Sequence, residues 1–354
     1  MSTFEIFTIK RDNIDAKALK KAADIIKKGG LVAFPTETVY GIAADYYNQN
    51  AISKLSKIKN RPTNKPFSIQ IPQKDYIKEF NCLISFLGKR LIEKFWPGPL
   101  TLIFDSSDGK KGFRIPNDKI ALLFLKEIGG PIVAPSANIS GQPAPKTAQE
   151  VIKQLKDNVD AVIDAGKTDL GIESTVVDLT VYPYEIIRQG AVSQQDIEGL
   201  LIKKILFVCT GNSCRSVMAE YLMRHLFEKQ NKKIEVSSAG TSSFSCIGPT
   251  ENTIKTMSEM DIDVTNHASK SINENLIKDA DLILVMQKFH KEYIIDTYPE
   301  AKEKTFLLSK FPEQEYDGLE TNADIKDPVG MEHNFYREIR NIIEKHIERI
   351  GKIL

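Results

Sequence analysis

One segment of the chain combines a nucleophile with groups that bind an oxyanion: Val208-Cys209-Thr210-Gly211-Asn212-Ser213-Cys214-Arg215-Ser216. It follows an apolar strand pattern and precedes a helical pattern. Loop N–H groups and the positive end of the helix dipole would therefore converge on one point. Gly211 and Asn212 tolerate the left-handed dihedral angles that such a loop needs. Arg215 could hold an oxyanion with its planar fork. The segment predicts a phosphate cradle with the Cys209 thiolate at its base and Ser216 as a hydrogen-bond donor to the sulfur.

A thiolate in this position would attack phosphorus and form a phosphocysteine intermediate. The leaving group then needs an acid, and the hydrolytic water needs a base. Asp327, which stands before Pro328 in a polar segment, is the candidate for both roles. Each element alone has an ordinary interpretation, namely a packed thiol, a turn or an exposed loop acid. Their joint occurrence favours catalysis, and a cradle that only senses anions is the alternative.

The first half of the chain lacks the glycine-rich phosphate loops G-x-x-x-x-G-K-[ST] and G-x-G-x-x-G. It has short polar clusters that each follow an apolar strand pattern, and such strand ends are where α/β sheets bind ligands. Some clusters carry Lys or Arg and others carry hydroxyl groups, which suits a small polar substrate and a polyphosphate. Singly, each cluster would be a solvated turn or a charged loop. The clusters are residues 35–41, 59–66, 113–116, 134–141, 173–176 and 187–190.

Length and composition restrict the class of protein. A chain of 354 residues is long enough for two domains, and 42% hydrophobic with 27% charged residues is typical of a globular protein. The 48 basic and 47 acidic residues give a net charge of +1, which argues against a nucleic-acid coat. No apolar run is long enough to span a membrane, and no secretory signal opens the chain. We expect a cytoplasmic protein with no membrane association.

The cysteine pattern does not favour a structural zinc site, because the four cysteines lack the usual ligand spacing. They are Cys82, Cys209, Cys214 and Cys246. Two interpretations of Cys214 stay open. It either forms a reversible disulfide with Cys209 that protects the nucleophile, or it is a packed thiol.

Short apolar runs alternate with amphipathic stretches, which predicts an α/β protein. Helices are expected at 16–28 and 147–155, and buried strands at 31–34, 132–134, 161–164 and 174–179. A polar stretch then precedes a new strand at 203–208 and a helix at 217–228, so we place a domain boundary near residue 200. The last helix, 335–354, is expected to turn one face to the core: Phe335, Ile339, Ile342, Ile343, Ile347 and Ile350.

Residues 10–192 resemble the Sua5/YciO/YrdC family of L-threonylcarbamoyladenylate synthases. The resemblance rests on four motifs in family order: Pro35-Thr36-Glu37-Thr38-Val39-Tyr40-Gly41, Lys59-x-Arg61-Pro62, Trp96-Pro97-Gly98-Pro99-Leu100-Thr101 and Pro135-Ser136-Ala137-Asn138. It implies a twisted α/β sheet and the condensation of L-threonine, bicarbonate and ATP, with Mg²⁺, to threonylcarbamoyl-AMP and pyrophosphate. A tRNA-modifying transferase complex would use this product to make N6-threonylcarbamoyladenosine at position 37.

The same resemblance assigns roles to individual residues. Around threonine it places Thr38, Gln70, Pro116, Ser136 and Ser174. Around ATP it places Lys59, Arg61, Lys65, Arg114, Asn138 and Arg188. Gln70 stands where some members have a histidine. No metal ligand from the protein and no protein nucleophile are expected, because the basic residues and Mg²⁺ would stabilise the developing negative charge.

Residues 203–354 resemble the low-molecular-weight protein-tyrosine phosphatase family, a three-layer α/β/α fold with a parallel sheet. The resemblance implies that Cys209 is the nucleophile, Arg215 binds phosphate and Asp327 is the general acid. It also implies that Asn212 shapes the loop and Ser216 supports the thiolate. No cofactor is implied.

Two departures from the tyrosine-directed pattern bear on the substrate. Ser213 stands where those members carry a branched apolar residue, and Val329-Gly330 stands where they tend to carry an aromatic residue. Both features resemble the protein-arginine phosphatase branch, so we hypothesise a preference for phosphoarginine over phosphotyrosine. Arsenate reduction fits poorly, because it needs a relay of further cysteines and only Cys246 lies beyond the loop.

The sequence therefore predicts a bifunctional enzyme: a synthase domain at 1–200 and a phosphatase domain at 201–354, the latter acting on a phosphoprotein. In the alternative, the first domain is a non-catalytic RNA- or nucleotide-binding module and the phosphatase is the only activity.

Overall fold

The structure is a computed structural model that describes residues 4–60, 67–242, 248–312 and 324–354. The chain divides into two compact units, Met1–Leu200 and Leu201–Leu354. Both units are mixtures of helices and strands, so the predicted α/β class is confirmed. No helix in the described part of the chain is long and apolar enough to cross a membrane.

In the described residues of the first unit, ten strands form one mixed sheet. They are β1 (Glu5–Thr8), β2 (Val32–Phe34), β3 (Gly41–Asp45), β4 (Ile69–Gln70), β5 (Leu100–Ser106), β6 (Gly109–Arg114), β7 (Ile132–Val133), β8 (Ala161–Asp164), β9 (Thr175–Asp178) and β10 (Glu185–Arg188). Their order across the sheet is β1-β8-β2-β3-β7-β4-β6-β5-β9-β10. Strands that are distant in sequence therefore become neighbours, as β4 does between β7 and β6.

The helices of the first unit begin where a polar side chain can accept a hydrogen bond from the first turn. They are α1 (Ala16–Lys27), α2 (Gln49–Ile58), α3 (Phe86–Phe95), α4 (Lys119–Ile128), α5 (Ala148–Leu155) and α6 (Gln194–Glu198), with a 3₁₀ helix at Lys74–Phe80. Their capping residues are Asp15, Asn48, Ser85, Asp118, Thr147 and Ser193. Gly29 follows α1 with a φ of 80°, which is the left-handed ending that its Gly-Gly pair predicts.

The core of the first unit lies on both faces of the sheet because neighbouring strand residues point in opposite directions. On β8, Ile163 packs with α1 and α4, whereas Val162 packs on the other face with α2 and α5. A further apolar cluster surrounds β5 and includes Trp96 and Phe113. Packing on both faces therefore fixes the positions of these strands, and with them the positions of the loops at the strand ends.

The second unit has four parallel strands in its described residues, in the order β12-β11-β13-β14. They are β11 (Lys204–Cys209), β12 (Glu235–Gly240), β13 (Leu282–Val285) and β14 (Thr305–Leu307). The helices are α7 (Arg215–Lys229), α8 (Glu251–Ser258), α9 (Glu274–Asp279), α10 (Lys288–Thr297) and α11 (His333–Gly351), with a 3₁₀ helix at Pro299–Lys304. The segment after β11 lies at the carboxyl end of a central strand, where α/β sheets bind ligands.

The predicted helices and strands are present with small changes at their ends, but the predicted core face of α11 was wrong at one position. Ile339, Ile343 and Ile350 are buried, whereas Ile342 is 43% exposed. Ile342 lies at the flank of the buried stripe, and Tyr336 occupies the stripe instead with 2% exposure.

Candidate active sites

The first unit contains a cleft of about 770 Å³ formed by loops at the ends of several strands. It is lined by eight of the residues that the sequence assigned to threonine and ATP: Thr38, Lys59, Gln70, Arg114, Ser136, Asn138, Ser174 and Arg188. Pro116 is buried and is not among the lining residues. Arg61 and Lys65 lie outside the described residues. Residues from six separate polar clusters therefore meet around one space.

Lys59, at the end of α2, binds the Pro-Ser-Ala-Asn loop. Its Nζ donates to the carbonyl oxygens of Ser136 and Asn138 at 3.0 and 2.7 Å and to Asn138 Oδ1 at 2.8 Å. Ser136 Oγ donates to the same Oδ1 at 2.7 Å. The three donors of this buried ammonium group are thus directed at one loop, which fixes the Ser136 and Asn138 side chains against the cleft.

Arg188, at the end of β10, holds another part of the cleft wall. Its Nε and Nη2 donate to the Ser174 carbonyl oxygen at 3.1 and 2.9 Å, and Nη1 donates to Glu173 Oε1 at 2.7 Å. Ser174 Oγ also lies 3.0 Å from Thr101 Oγ1. Burial lowers the pKa of Arg188, Glu173 opposes this effect, and the charge of Arg114 adds to it. The positive charges of these two cleft residues therefore repel one another.

Arg114 ends β6 beside Gln70 of β4, to which it is paired in register. Its Nε donates to the Gly98 carbonyl oxygen at 3.1 Å, and its Nη2 lies 2.8 Å from Glu37 Oε1. Gln70 Oε1 is buried and makes no hydrogen bond to any residue that the structure describes. An acceptor without a partner in such a place is ready for a ligand donor.

Several lining residues were missed by the sequence reasoning. They include Thr36, Ser68, Thr101 and Lys110. Thr36 and Thr101 belong to motifs that had been recognised, so their hydroxyl groups were the available signal. Lys110 gave no signal, because it reaches the cleft only through the β5–β6 hairpin, where it pairs with Asp178 at 3.0 Å.

In the second unit, the cysteine loop forms a tight cradle at the end of β11. Cys209 is 2% exposed, and its Sγ accepts from the backbone N–H of Asn212 at 3.3 Å. Ser216 Oγ lies 3.0 Å from the same sulfur. Asn212 has a φ of 52°, in the left-handed region that turns the loop back on itself. The backbone N–H of Asn212 therefore points at the sulfur, and the Ser216 hydroxyl lies within hydrogen-bond distance of it.

The side chain of Asn212 ties the cradle to its surroundings. Its Nδ2 donates to Ser216 Oγ at 3.0 Å and to Ser238 Oγ at 2.7 Å, and its Oδ1 accepts from Lys270 N at 3.0 Å. Ser238 in turn donates to Glu220. Asn212 is completely buried, so all its hydrogen bonds are made inside the protein.

Arg215 is 1% exposed and begins α7. Its Nη1 donates to Gln287 and, at 3.1 Å, to the Ile325 carbonyl oxygen, while its Nη2 pairs with Asp327. Its Nε is buried without a hydrogen bond to any described residue. A bound oxyanion would accept a hydrogen bond from that N–H, and its negative charge would be stabilised by the guanidinium group.

Asp327 reaches Arg215 because its loop is held at the end of β13. Ile325 N donates to the Met286 carbonyl oxygen at 2.9 Å, and Lys288 N donates to Asp324 Oδ1 at 2.8 Å. The Asp327 side chain is 42% exposed, so its carboxylate is accessible from the solvent. The structure thus brings together all five phosphatase residues that the sequence selected.

Cys214 is also buried, and both cysteines of the loop are free thiols. Its Sγ lies 3.4 Å from Thr250 Oγ1 and 3.7 Å from the Tyr336 hydroxyl. Burial, together with the Cys214 contact, raises the pKa of Tyr336 to about 12. The structure thus has the packed-thiol state of Cys214. Cys246 lies outside the described residues.

Gln287 and His290, which contact the cradle from the start of α10, were not anticipated. Gln287 accepts from Arg215, and His290 Nε2 lies 2.9 Å from Thr210 Oγ1. Burial and then the charge of Arg215 lower the pKa of His290 to about 3, so this ring is neutral. Their position directly after the buried strand at 282–285 was the signal that could have found them.

Comparison with known proteins agrees with this division. Residues 24–190 match a Sua5/YciO/YrdC family model described as "Telomere recombination". Residues 204–354 match the model for low molecular weight phosphotyrosine protein phosphatase. The chain belongs to both families, one in each unit.

Curated relatives carry enzyme names. The threonylcarbamoyl-AMP synthase of Pyrococcus abyssi is 36% identical over 201 residues, which cover 54% of this chain and 59% of that protein. A putative threonylcarbamoyl-AMP synthase of Methanocaldococcus jannaschii is 34% identical and is covered over 95% of its length. The protein-arginine-phosphatase of Bacillus subtilis is 31% identical over 150 residues, 42% of this chain and 95% of that protein. The chain spans only 53–59% of the first synthase relatives it matches.

Among solved structures, P. abyssi Sua5 complexed with L-threonine is 26% identical with a TM-score of 0.54. The match covers 76% of this chain and 93% of that one. It supports the predicted sheet of the first unit. The two predicted families and the predicted fold class are therefore confirmed, and the relatives named above carry the names of enzymes.

Proposed function

We propose that the chain is a bifunctional enzyme whose first unit condenses L-threonine, bicarbonate and ATP to threonylcarbamoyl-AMP and pyrophosphate. The observation that carries this proposal is the cleft, where hydroxyl and amide groups for a small polar substrate lie beside Arg114 and Arg188. The threonine amine would attack carbon dioxide and lose a proton, or attack bicarbonate with loss of water, to give a carbamate. The carbamate oxygen would then attack the α-phosphorus, and the bond to the departing pyrophosphate would break. Both steps gather negative charge, which the two guanidinium groups stabilise.

Mg²⁺ would enter this cleft on the phosphates of ATP. The carboxylates beside the cleft, Glu37 and Glu173, are paired with Arg114 and Arg188, and no cluster of metal-binding side chains occurs among the described residues. This donor set suits a cation that the substrate itself holds. The product would pass to a transferase complex that modifies adenosine 37 of tRNA, and the cytoplasm is the location where this would occur.

The alternative for the first unit is a nucleotide- or RNA-binding module without turnover. Pyrophosphate release from ATP, measured with and without L-threonine and bicarbonate, separates the two. The variant to compare with wild type is Ser174→Ala, because Ser174 Oγ lies within hydrogen-bond distance of both Thr101 and Arg188 in the cleft. Release that needs threonine and falls in the variant supports the synthase. ATP binding with no threonine-dependent release supports the binding module.

We propose that the second unit is a cysteine-dependent protein phosphatase. The observation that carries this is the Nε of Arg215, which is buried beside the loop that holds the Cys209 sulfur and makes no hydrogen bond to any residue that the structure describes. The sulfur would attack phosphorus, the bond to the leaving group would break, and Asp327 would protonate that group. Water would then attack the phosphocysteine, give its proton to Asp327 and release phosphate with the free thiolate.

We further propose that phosphoarginine is preferred over phosphotyrosine. Ser213 offers a small polar side chain in the cradle, and Val329 rather than an aromatic residue follows the Asp-Pro pair. The name of the B. subtilis relative supports the same substrate class. The test is kcat/KM on matched phosphoarginine and phosphotyrosine peptides for wild type and Ser213→Ile. A higher value on phosphoarginine that inverts in the variant is expected, and a wild-type preference for phosphotyrosine would rule the proposal out.

A further inference from the structure

Glu37 is a buried acid beside the synthase cleft to which the sequence assigned no role. It lies in the loop between β2 and β3, and its side chain is 6% exposed. The loop is fixed on both sides of it. Thr36 Oγ1 lies 2.8 Å from Thr38 Oγ1 and donates to the Val39 carbonyl oxygen at 2.7 Å. The backbone oxygen of Glu37 itself accepts from Leu170 N at 2.8 Å. A carboxylate that is buried in this way needs a counter-charge.

That counter-charge is Arg114, whose side chain is 7% exposed. Nη2 lies 2.8 Å from Glu37 Oε1, but the N–H does not point along that line, so the contact is an ion pair without a hydrogen bond. Nε is committed to the Gly98 carbonyl oxygen. The carboxylate therefore holds one edge of the guanidinium plane by charge, and the Gly98 oxygen holds another by a directed bond.

A second pairing of the same kind occurs in the cleft, where Glu173 binds Arg188. Two like charges, Arg114 and Arg188, line the same cleft and interact. Without the Glu37 carboxylate, Arg114 would keep its Nε hydrogen bond to Gly98, but no negative charge would hold its Nη2 against the repulsion from Arg188. The outer part of the guanidinium group would then be free to take other orientations.

We infer that Glu37 is a positioning residue that holds the Arg114 guanidinium in the cleft for the phosphates of ATP. The inference rests on the proposed function of the first unit, and it extends the site to a residue that does not itself line the cleft. Glu37 acts through Arg114 and touches no reacting atom.

The sign of one substitution distinguishes this role from a simple effect of charge. Glu37→Gln keeps the shape of the side chain and removes one negative charge near the cleft. Charge alone would then tighten the binding of anionic ATP. Loss of the Arg114 orientation would instead weaken ATP binding. The loss would be about tenfold if one charge-assisted hydrogen bond between Arg114 and the phosphates is no longer made.

The experiment measures the dissociation constant of a non-hydrolysable ATP analogue with Mg²⁺ by calorimetry on the full chain. The variants are Glu37→Gln, Arg114→Gln and the double variant. Glu127→Gln, on the exposed side of α4, is the control for charge. Thermal unfolding followed by Trp96 fluorescence reports whether the first unit is folded. We expect about tenfold weaker binding for Glu37→Gln, no further loss in the Arg114→Gln background, and wild-type binding for Glu127→Gln.

Equal or tighter binding by a folded Glu37→Gln variant would overturn the inference and leave the synthase proposal intact. Additive losses in the double variant would also overturn it, because Glu37 would then act without Arg114. If wild type itself does not bind the analogue, the proposed function fails and the inference falls with it. If Glu37→Gln does not fold, Glu37→Asp, which keeps the charge, decides between the two roles. The positioning role requires that Glu37→Asp recover both folding and ATP binding. If it recovers folding alone or neither, Glu37 serves only stability and the positioning role is excluded.

Discussion

Replacement of Asn212 by alanine should strongly destabilise the phosphatase cradle. Asn212 is completely buried and makes three side-chain hydrogen bonds, to Ser216, Ser238 and the backbone N–H of Lys270. Alanine removes all three and leaves their partners unpaired in the interior. At about 1 kcal/mol for each bond, the expected loss is about 3 kcal/mol in the free energy of unfolding of the second unit.

The backbone adds a separate cost. Asn212 has a φ of 52°, and alanine in the left-handed region costs about 1 kcal/mol that asparagine and glycine largely avoid. Asn212→Ala should therefore lose about 4 kcal/mol. Asn212→Gly is the matched control: it loses the same three hydrogen bonds without the backbone strain, so it should be about 1 kcal/mol less destabilising than alanine.

The assay is urea unfolding of the full chain with two probes. Trp96 is the single tryptophan, it is 4% exposed in the first unit, and its fluorescence follows that unit alone. Hydrolysis of an aryl phosphate follows the second unit. We expect the fluorescence transition to stay in place while the activity transition moves to lower urea. A loss below about 1 kcal/mol would refute the hydrogen-bond argument, and equal losses for glycine and alanine would refute the argument from φ.

Three further outcomes are expected. Burial lowers the pKa of His290 to about 3 and that of His346 to about 4, below the usual 6.5, so the unfolded chain takes up protons first as the pH falls. Between pH 6.5 and about 4, each of the two histidines should lower the stability of the second unit by about 1.4 kcal/mol per pH unit. In unfolding followed by circular dichroism, His346→Gln should make the dependence of stability on pH less steep. A wild-type stability that does not change over this pH range contradicts the prediction. Lys59→Met should abolish threonine-dependent pyrophosphate release without changing phosphatase activity, and unchanged release excludes its role in the Ser136–Asn138 loop. Asp327→Asn should lower the kcat for phosphate release at least a hundredfold, while the variant still binds inorganic phosphate. An unchanged kcat excludes Asp327 as the general acid.

Secondary structure could be predicted well where one strong local pattern decided it. The helix at Ala16–Lys27 has its Asp15 cap and its Gly29 ending in the sequence, and both work as their chemistry suggests. The final helix was harder. Its period was correct, but the exposure of Ile342 depends on how wide a face the rest of the unit covers. The sequence of one helix does not contain that width.

The two sites differ in how far they could be predicted. The loop residues of the phosphatase cradle could be selected from the sequence because the loop and the start of α7 are contiguous, so local backbone geometry places Cys209, Asn212, Arg215 and Ser216. Of the residues selected, Asp327 alone comes from far along the chain. Gln287 and His290 were missed because they reach the loop through the order of parallel strands.

The amino-acid sequence was enough to predict the class of each unit, a cysteine cradle with its arginine, and a set of polar clusters in the first half. Tertiary structure alone decided which of those clusters meet. The sheet order brings β4 between β7 and β6, so that Gln70 lies beside Arg114, and it sets Glu37 against the Arg114 guanidinium. The physical reason is that a turn or a helix start is specified by neighbouring residues, whereas the pairing of strands is specified by burial of the whole core. Charges that meet across such a sheet are therefore visible only once the chain has folded.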